Sequence, residues 1–101
     1  MNTANLQLEG LYLAVAAINN ALVAKNLLSC AEIDLALRIA EAAATGDGRS
    51  EQLSSSNRDA VAFPARILQA ANTMSSTTQL PPFSELAKAV GMTKLPFNDQ
   101  Q

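Results

Sequence analysis

The chain has no histidine and a single cysteine, Cys30, among its 101 residues. The first absence removes the commonest general base and the commonest metal ligand together. No Ser–His or Cys–His nucleophile can be assembled within one chain. With one Cys and no His, the usual zinc sites are excluded as well. Tryptophan is missing too, and one Tyr and three Phe are all the aromatic bulk. Cationic residues are few: seven Lys and Arg against nine Asp and Glu leave a net charge of −2. That balance offers no electrostatic reason to bind DNA, RNA or anionic lipid. Glycine-rich phosphate loops are absent, because Gly46-Asp47-Gly48 lacks both the Lys-Ser/Thr pair and a preceding strand. No carboxylate stands in the Glu-x-x-His spacing of a helical di-iron site. These absences point to a non-catalytic protein with no cofactor and no metal, and they nominate no catalytic residue.

What is present is aliphatic. Apolar residues make up 49% of the chain, much of it alanine. The segment Leu6 to Lys25 is the most apolar and is expected to lie within a first helix over 4–25. At about 100° per residue, Leu8, Leu11, Tyr12, Val15, Ile18, Leu22 and Val23 fall in one stripe. Leu8, Val15 and Leu22 are seven apart, as are Leu11 and Ile18, the spacing of a helix–helix seam. The opposite side carries Leu6, Leu13, Ala14, Ala17, Ala21 and Ala24, so no coherent wet face exists. A helix apolar nearly all round is expected to be a buried one, with the rest of the chain packed around it. A membrane span needs about 20 apolar residues in a row; Glu9 and Asn19-Asn20 interrupt this one, and no membrane association is expected. Asn19 lies inside the stripe. Such an amide commonly finds a backbone partner; alternatively it sets register across a two-fold axis.

Ser29 and Glu32 form a capping box opening a second helix over 30–44. Ile33, Leu37, Ala40 and Ala44 make one apolar side of it, and Leu35, Ile39 and Ala42 another. Such a helix needs two neighbours: the first helix, antiparallel across a short loop, and either the third helix or a second chain. Residues 45–56 read as a loop, with Gly46 a good residue to end the second helix and Leu53 pinning the loop. Asn57 is expected to cap a third helix over 57–73, kinked at Pro64, since the apolar stripe stays in phase across it; the alternative is a helix that starts with Pro64 in its first turn. A fourth helix is expected over 82–90, ended by Gly91, with 92–101 a partly ordered tail. Arg38–Thr45 and Arg66–Thr73 match at five of eight positions. This is read as shared helical composition, since it spans too little for a repeat architecture.

Ser84 to Thr93, SELAKAVGMT, resembles the first half of a helix-turn-helix, with Ala87 followed by Gly91 at the turn position. The resemblance implies DNA binding. The second half departs from the pattern, since Lys94 leads into Leu95-Pro96-Phe97 and an acidic end rather than a basic recognition helix. Cys30 reads as a small residue filling a helix N-terminal turn, and Glu9 as an acid reaching solvent or capping a neighbour.

The expected fold is therefore all-α: one domain over 1–101, a bundle of about four helices with the first two an antiparallel hairpin. A thin Ala-rich core in a chain this size is marginal alone. The expected function is self-association, as a homodimer or higher homo-oligomer, in an interaction or regulatory module. The seam is Leu8, Leu11, Val15, Ile18, Asn19 and Leu22. The alternatives are a helix-turn-helix-like nucleic-acid binder, and an accessory subunit or small-molecule binder with an apolar pocket between helices. One cysteine and an N-terminal stretch without a basic signal region point to the cytoplasm.

Overall fold

The computed structural model describes residues 3–46, 54–75 and 79–98. Four helices account for most of them: α1 Thr3–Ala24, α2 Cys30–Ala44, α3 Ser55–Met74 and α4 Phe83–Asn98. No strand occurs among the described residues, and the fold is a small all-α bundle.

Local chemistry sets most of the helix ends. After Ala24, the Asn26 N–H donates to the Val23 carbonyl (3.0 Å) and the Leu27 N–H to the Leu22 carbonyl (3.0 Å). Asn26 sits between them with φ 60°, in the left-handed region. This is a Schellman closure, and Asn is the residue after Gly that tolerates it best. The Ser29 capping box is formed: its Oγ accepts from the Glu32 N–H (3.1 Å), and Glu32 Oε1 accepts from the Ser29 N–H (2.8 Å). At the other end of α2 the Thr45 N–H and hydroxyl both donate to the Glu41 carbonyl. Gly46 has no positive φ, so α2 does not end in the left-handed glycine expected there.

Helix α3 starts earlier than the Asn57 cap would place it. Ser54 takes the capping role, its Oγ accepting from the Asn57 N–H (3.1 Å). In the run Ser54-Ser55-Ser56-Asn57 every residue is a competent cap, and sequence alone does not rank them. The helix is continuous through Pro64. The ring removes the N–H that would bond the Ala60 carbonyl; Ala60 is exposed, so water can take that place. At the start of α4, Glu85 and Leu86 donate to the Pro82 carbonyl. The stop expected at Gly91 does not occur. Gly91 has no positive φ and α4 runs on to Asn98. Most of the expected 45–56 loop, including Leu53, and the last residues 99–101 lie outside the described residues.

Helices α1 and α2 form a hairpin about the connection at residues 25–29, but both pack chiefly on α3, as does α4. The hydropathy pattern makes α1 the central element; the structure gives that place to α3. Its two sides do different work. Gln69 and Asn72 reach α2, and Ala62 and Ala65, both buried, share their side of the helix. On the other side Ile67 and Ala71 form the core with Ala16 of α1 and Leu86 and Val90 of α4. Among the described residues, Ile67 and Leu86 are the largest fully buried side chains. Above them Tyr12, Phe63 and Phe83 make an aromatic trio: Tyr12 stacks on Phe83 (centroids 6.0 Å apart, planes 14° apart) and meets Phe63 edge-on (6.2 Å, 68°).

If Ile67 is the keystone, Ile67→Ala leaves a cavity at the meeting point of three helices and costs about 2–5 kcal/mol. Urea unfolding followed by far-UV circular dichroism should show the midpoint fall with the slope unchanged. A loss under about 1 kcal/mol, the size of an ordinary surface change, would mean the core lies elsewhere.

Candidate interaction surface

Because α1 touches α3 along one side only, its other side is bare. Tyr12, Leu13 and Ala16 face the core. Away from the core, Gly10, Ala14, Ala17, Ala21 and Ala24 are exposed, at spacings of four and three. Flanking this strip, Leu11 and Ile18 are 56% and 60% exposed, and Leu8 is 44% exposed. The six residues expected to form a seam are therefore divided. Leu11 and Ile18 stand outward, Leu8 is at the edge, and Val15, Asn19 and Leu22 are half-buried on the flank of the core. Tyr12, which shares the stripe by hydropathy, turns inward to the other aromatics. Hydropathy spacing carried no signal for that inward turn; it follows from Phe63 on α3 and Phe83 on α4 lying within ring-contact distance of Tyr12.

Helix α2 repeats the situation. Ile33 is buried and Leu37 half-buried against α3, whereas Leu35 and Ile39 on the far side are 60% and 61% exposed. Leu27 and Leu28 in the connection add further exposed apolar surface. Scattered exposed leucines are ordinary in a monomer, but several on adjoining elements mark a binding surface or an aggregation liability.

The polar groups are used to fasten α2 to α3. Arg66 Nε donates to Glu41 Oε2 (2.9 Å), Gln69 Nε2 donates to Glu41 Oε1 (2.9 Å), and Arg66 Nη1 lies 3.5 Å from Asp59. Asn72 Nδ2 donates to the Cys30 carbonyl (2.9 Å). Arg38 pairs with Asp34 four residues earlier (2.6 Å). Partial burial works to raise the Glu41 carboxyl, but the hydrogen bonds from Gln69 and Arg66, with the charges of Arg66 and Arg38, outweigh it and hold the group below its ordinary value. A cleft of about 500 Å³ opens beside this cluster, floored by Ala70, Ala89 and Val90 and rimmed by Asp34, Arg38 and Arg66. Each cation on its rim already has a carboxylate partner, so neither Arg38 nor Arg66 stands free to hold an anion there.

The other residues singled out by type do not converge. Cys30 is exposed and Glu9 is half-buried on α1, at the edge of a shallow pocket with Tyr12, Phe63 and Phe83. Among the described residues no three His, Cys, Asp or Glu side chains are placed to share a metal ion. The turn that a helix-turn-helix requires at Gly91 is not there, since α4 is unbroken through it. By length and composition α1 is a helix that could cross a membrane: its most apolar window has mean hydropathy 1.3, and only 6% of that window is buried within the bundle.

The Glu41 clasp has a definite pH signature. A carboxylate held below its ordinary value stabilises the fold fully above the unfolded value of about 4.3, and that stabilisation is lost as pH falls through the depressed one. Glu41→Gln should therefore be less stable than the parent at about pH 7, with the gap closing between about pH 5 and pH 3. Thermal unfolding across that range checks it; a gap independent of pH would mean that the Glu41 charge is not what fastens α2. No protein-family model matches the chain, and neither a curated protein nor a solved structure is significantly similar to it.

Proposed function

We propose that the chain is a non-catalytic, self-associating helical module, and that a second copy covers the bare faces of α1 and α2. The observation that carries this is the exposure of Leu11, Ile18, Leu35 and Ile39, each between 56% and 61% open to solvent on regular helices. Each such side chain has roughly 1–2 kcal/mol still to gain from burial. A two-fold dimer counts every side chain twice. Burying the α1 pair alone then supplies about 4–8 kcal/mol, which only reaches the low end of the association cost of about 4–15 kcal/mol. Burying both pairs supplies about 8–16 kcal/mol, which matches that cost. Self-association therefore requires both helices to take part.

A bilayer is the competing cover for α1. One feature favours a protein partner: Tyr12, Leu13 and Ala16 are already committed to the bundle. The module then works through its assembled state, presenting α3 and α4 of two copies as one unit.

Sedimentation equilibrium of the parent chain at low micromolar concentration should give twice the chain mass or more. Ile18→Lys should shift the distribution to monomer while far-UV circular dichroism is retained, because the side chain touches little of its own fold. A parent chain that sediments cleanly as a monomer would dismiss the proposal. So would transfer of the parent into neutral phosphatidylcholine vesicles in place of dimer formation.

A further inference from the structure

Self-association alone does not say which face meets which. The short similarity between Arg38–Thr45 and Arg66–Thr73 carries the answer, because the structure gives it a geometric meaning. Residues at equivalent positions of the two segments meet: Gln69 donates to Glu41, and each stands three residues after its segment's arginine. Arg66 also bonds Glu41, while Cys30 near the start of α2 is held by Asn72 near the end of α3. The two helices thus run antiparallel, and because Glu41 and Gln69 meet, positions equally displaced from them along each helix lie at the same angle to the contact. Their facing sides correspond, and so do their outward sides.

On α3 the side turned away from α2 carries Phe63, Ile67, Ala70 and Ala71. The equivalent positions on α2 are Leu35, Ile39, Ala42 and Ala43, so three of the four residue types are identical. The fates of the two faces are opposite. The α3 face is the core: Ile67 and Ala71 are buried under Tyr12 and Ala16 of α1 and Leu86 and Val90 of α4. On the α2 face all four residues are exposed. A surface of this composition already accepts α1 once within the chain. The side of α1 that remains uncovered, Leu11 and Ile18 beside Ala14, Ala17 and Ala21, is the free helix face with which a second copy can fill it.

We infer that the Leu35–Ile39–Ala42–Ala43 face of α2 is the seat for α1 of a second copy, so that α1 of each copy covers α2 of the other in a reciprocal, two-fold pair. This inference rests on the self-association proposed above and adds the pairing of unlike faces. It accounts for both helices being bare in one chain: each supplies what the other lacks. Like-on-like pairing, α1 on α1 or α2 on α2, is the alternative arrangement of the same two surfaces.

The test uses full-length chains carrying Cys30→Ser to remove the native thiol. Ile18→Cys and Ile39→Cys are introduced in separate chains, mixed in equal amounts, and joined with a short bis-maleimide; the joined peptides are identified by mass spectrometry. Both positions are exposed, so the substitutions leave the core intact. The expected product is the 18–39 pair, in at least several-fold excess over 18–18 and 39–39. Predominance of 18–18 or 39–39 in a mixture that still sediments as a dimer overturns the inference and leaves self-association standing. A monomer with no joined product overturns both.

Discussion

Burial of Ile67 among α1, α3 and α4 is the constraint from which the rest of the arrangement follows. A helix has room for one neighbour on each side, and α3 uses both sides. The side bearing Ala62 and Ala65 is small and brings α2 close. The side bearing Ile67 and Ala71 is taken by α1 and α4. Placing α3 between α1 and α2 keeps the two arms of the hairpin from covering one another. The bare faces of α1 and α2 are therefore a consequence of where the hub sits, rather than of a poor core.

The two sides of α3 are also held by different forces. On the α1 and α4 side, burial and three packed rings do the work, and these act without strong direction. On the α2 side the only buried large residue of α2 is Ile33, and Ala62 and Ala65 opposite offer little area. Direction comes instead from Glu41, gripped by Arg66 and Gln69, and from Asn72 on the Cys30 carbonyl. Partly exposed ion pairs add little net stability. Their value here is register: sliding α2 by one turn would part Glu41 from both donors and Cys30 from Asn72. In an alanine-rich interface, where neighbouring residues are alike, side-chain shape alone would not resist such a slide.

Helix existence and several ends were legible because they are written in local chemistry: the Ser29–Glu32 capping box, the proline pair before α4, the phase of apolar residues across Pro64. The ends that moved were those where local chemistry is ambiguous. Four consecutive capping residues precede α3. Gly91 is compatible with a stop, but it is equally compatible with helix, at a modest cost that continued hydrogen bonding offsets. The identity of the hub was not legible at all. Hydropathy reports how apolar an element is, not whether anything covers it. Helix α1 is the most apolar and is largely uncovered, whereas α3, with Arg58, Asp59, Arg66 and Gln69 on its surface, supplies Ala62, Ala65, Ile67 and Ala71 to the core. The candidate surface was half legible for the same reason. The seven-residue spacing placed Leu11 and Ile18 on one side, where both are exposed, but it could not separate them from Val15 and Leu22, which the chain half-buries itself. The second apolar side of α2 was visible in its periodicity, while the equivalence of that side to the buried side of α3 needed the Glu41–Gln69 contact to be seen.

A bare apolar helix long enough to cross a bilayer invites the thought that lipid is its natural surroundings. The packing argues otherwise. For α1 to insert, Tyr12, Leu13 and Ala16 must leave Ile67, Leu86 and the two phenylalanines, and the fully buried Ile67 and Leu86 would then lose that cover. The apolar surface gained on one side would be lost on the other, and Glu9 and Asn19-Asn20 would enter the hydrocarbon without their present access to solvent. A second chain removes the exposed surface of α1 without dismantling anything, and it offers cover to α2, which lipid around an inserted α1 would not reach. On the proposed reading, the unequal covering of α3's two neighbours is what makes a protein surface the better partner.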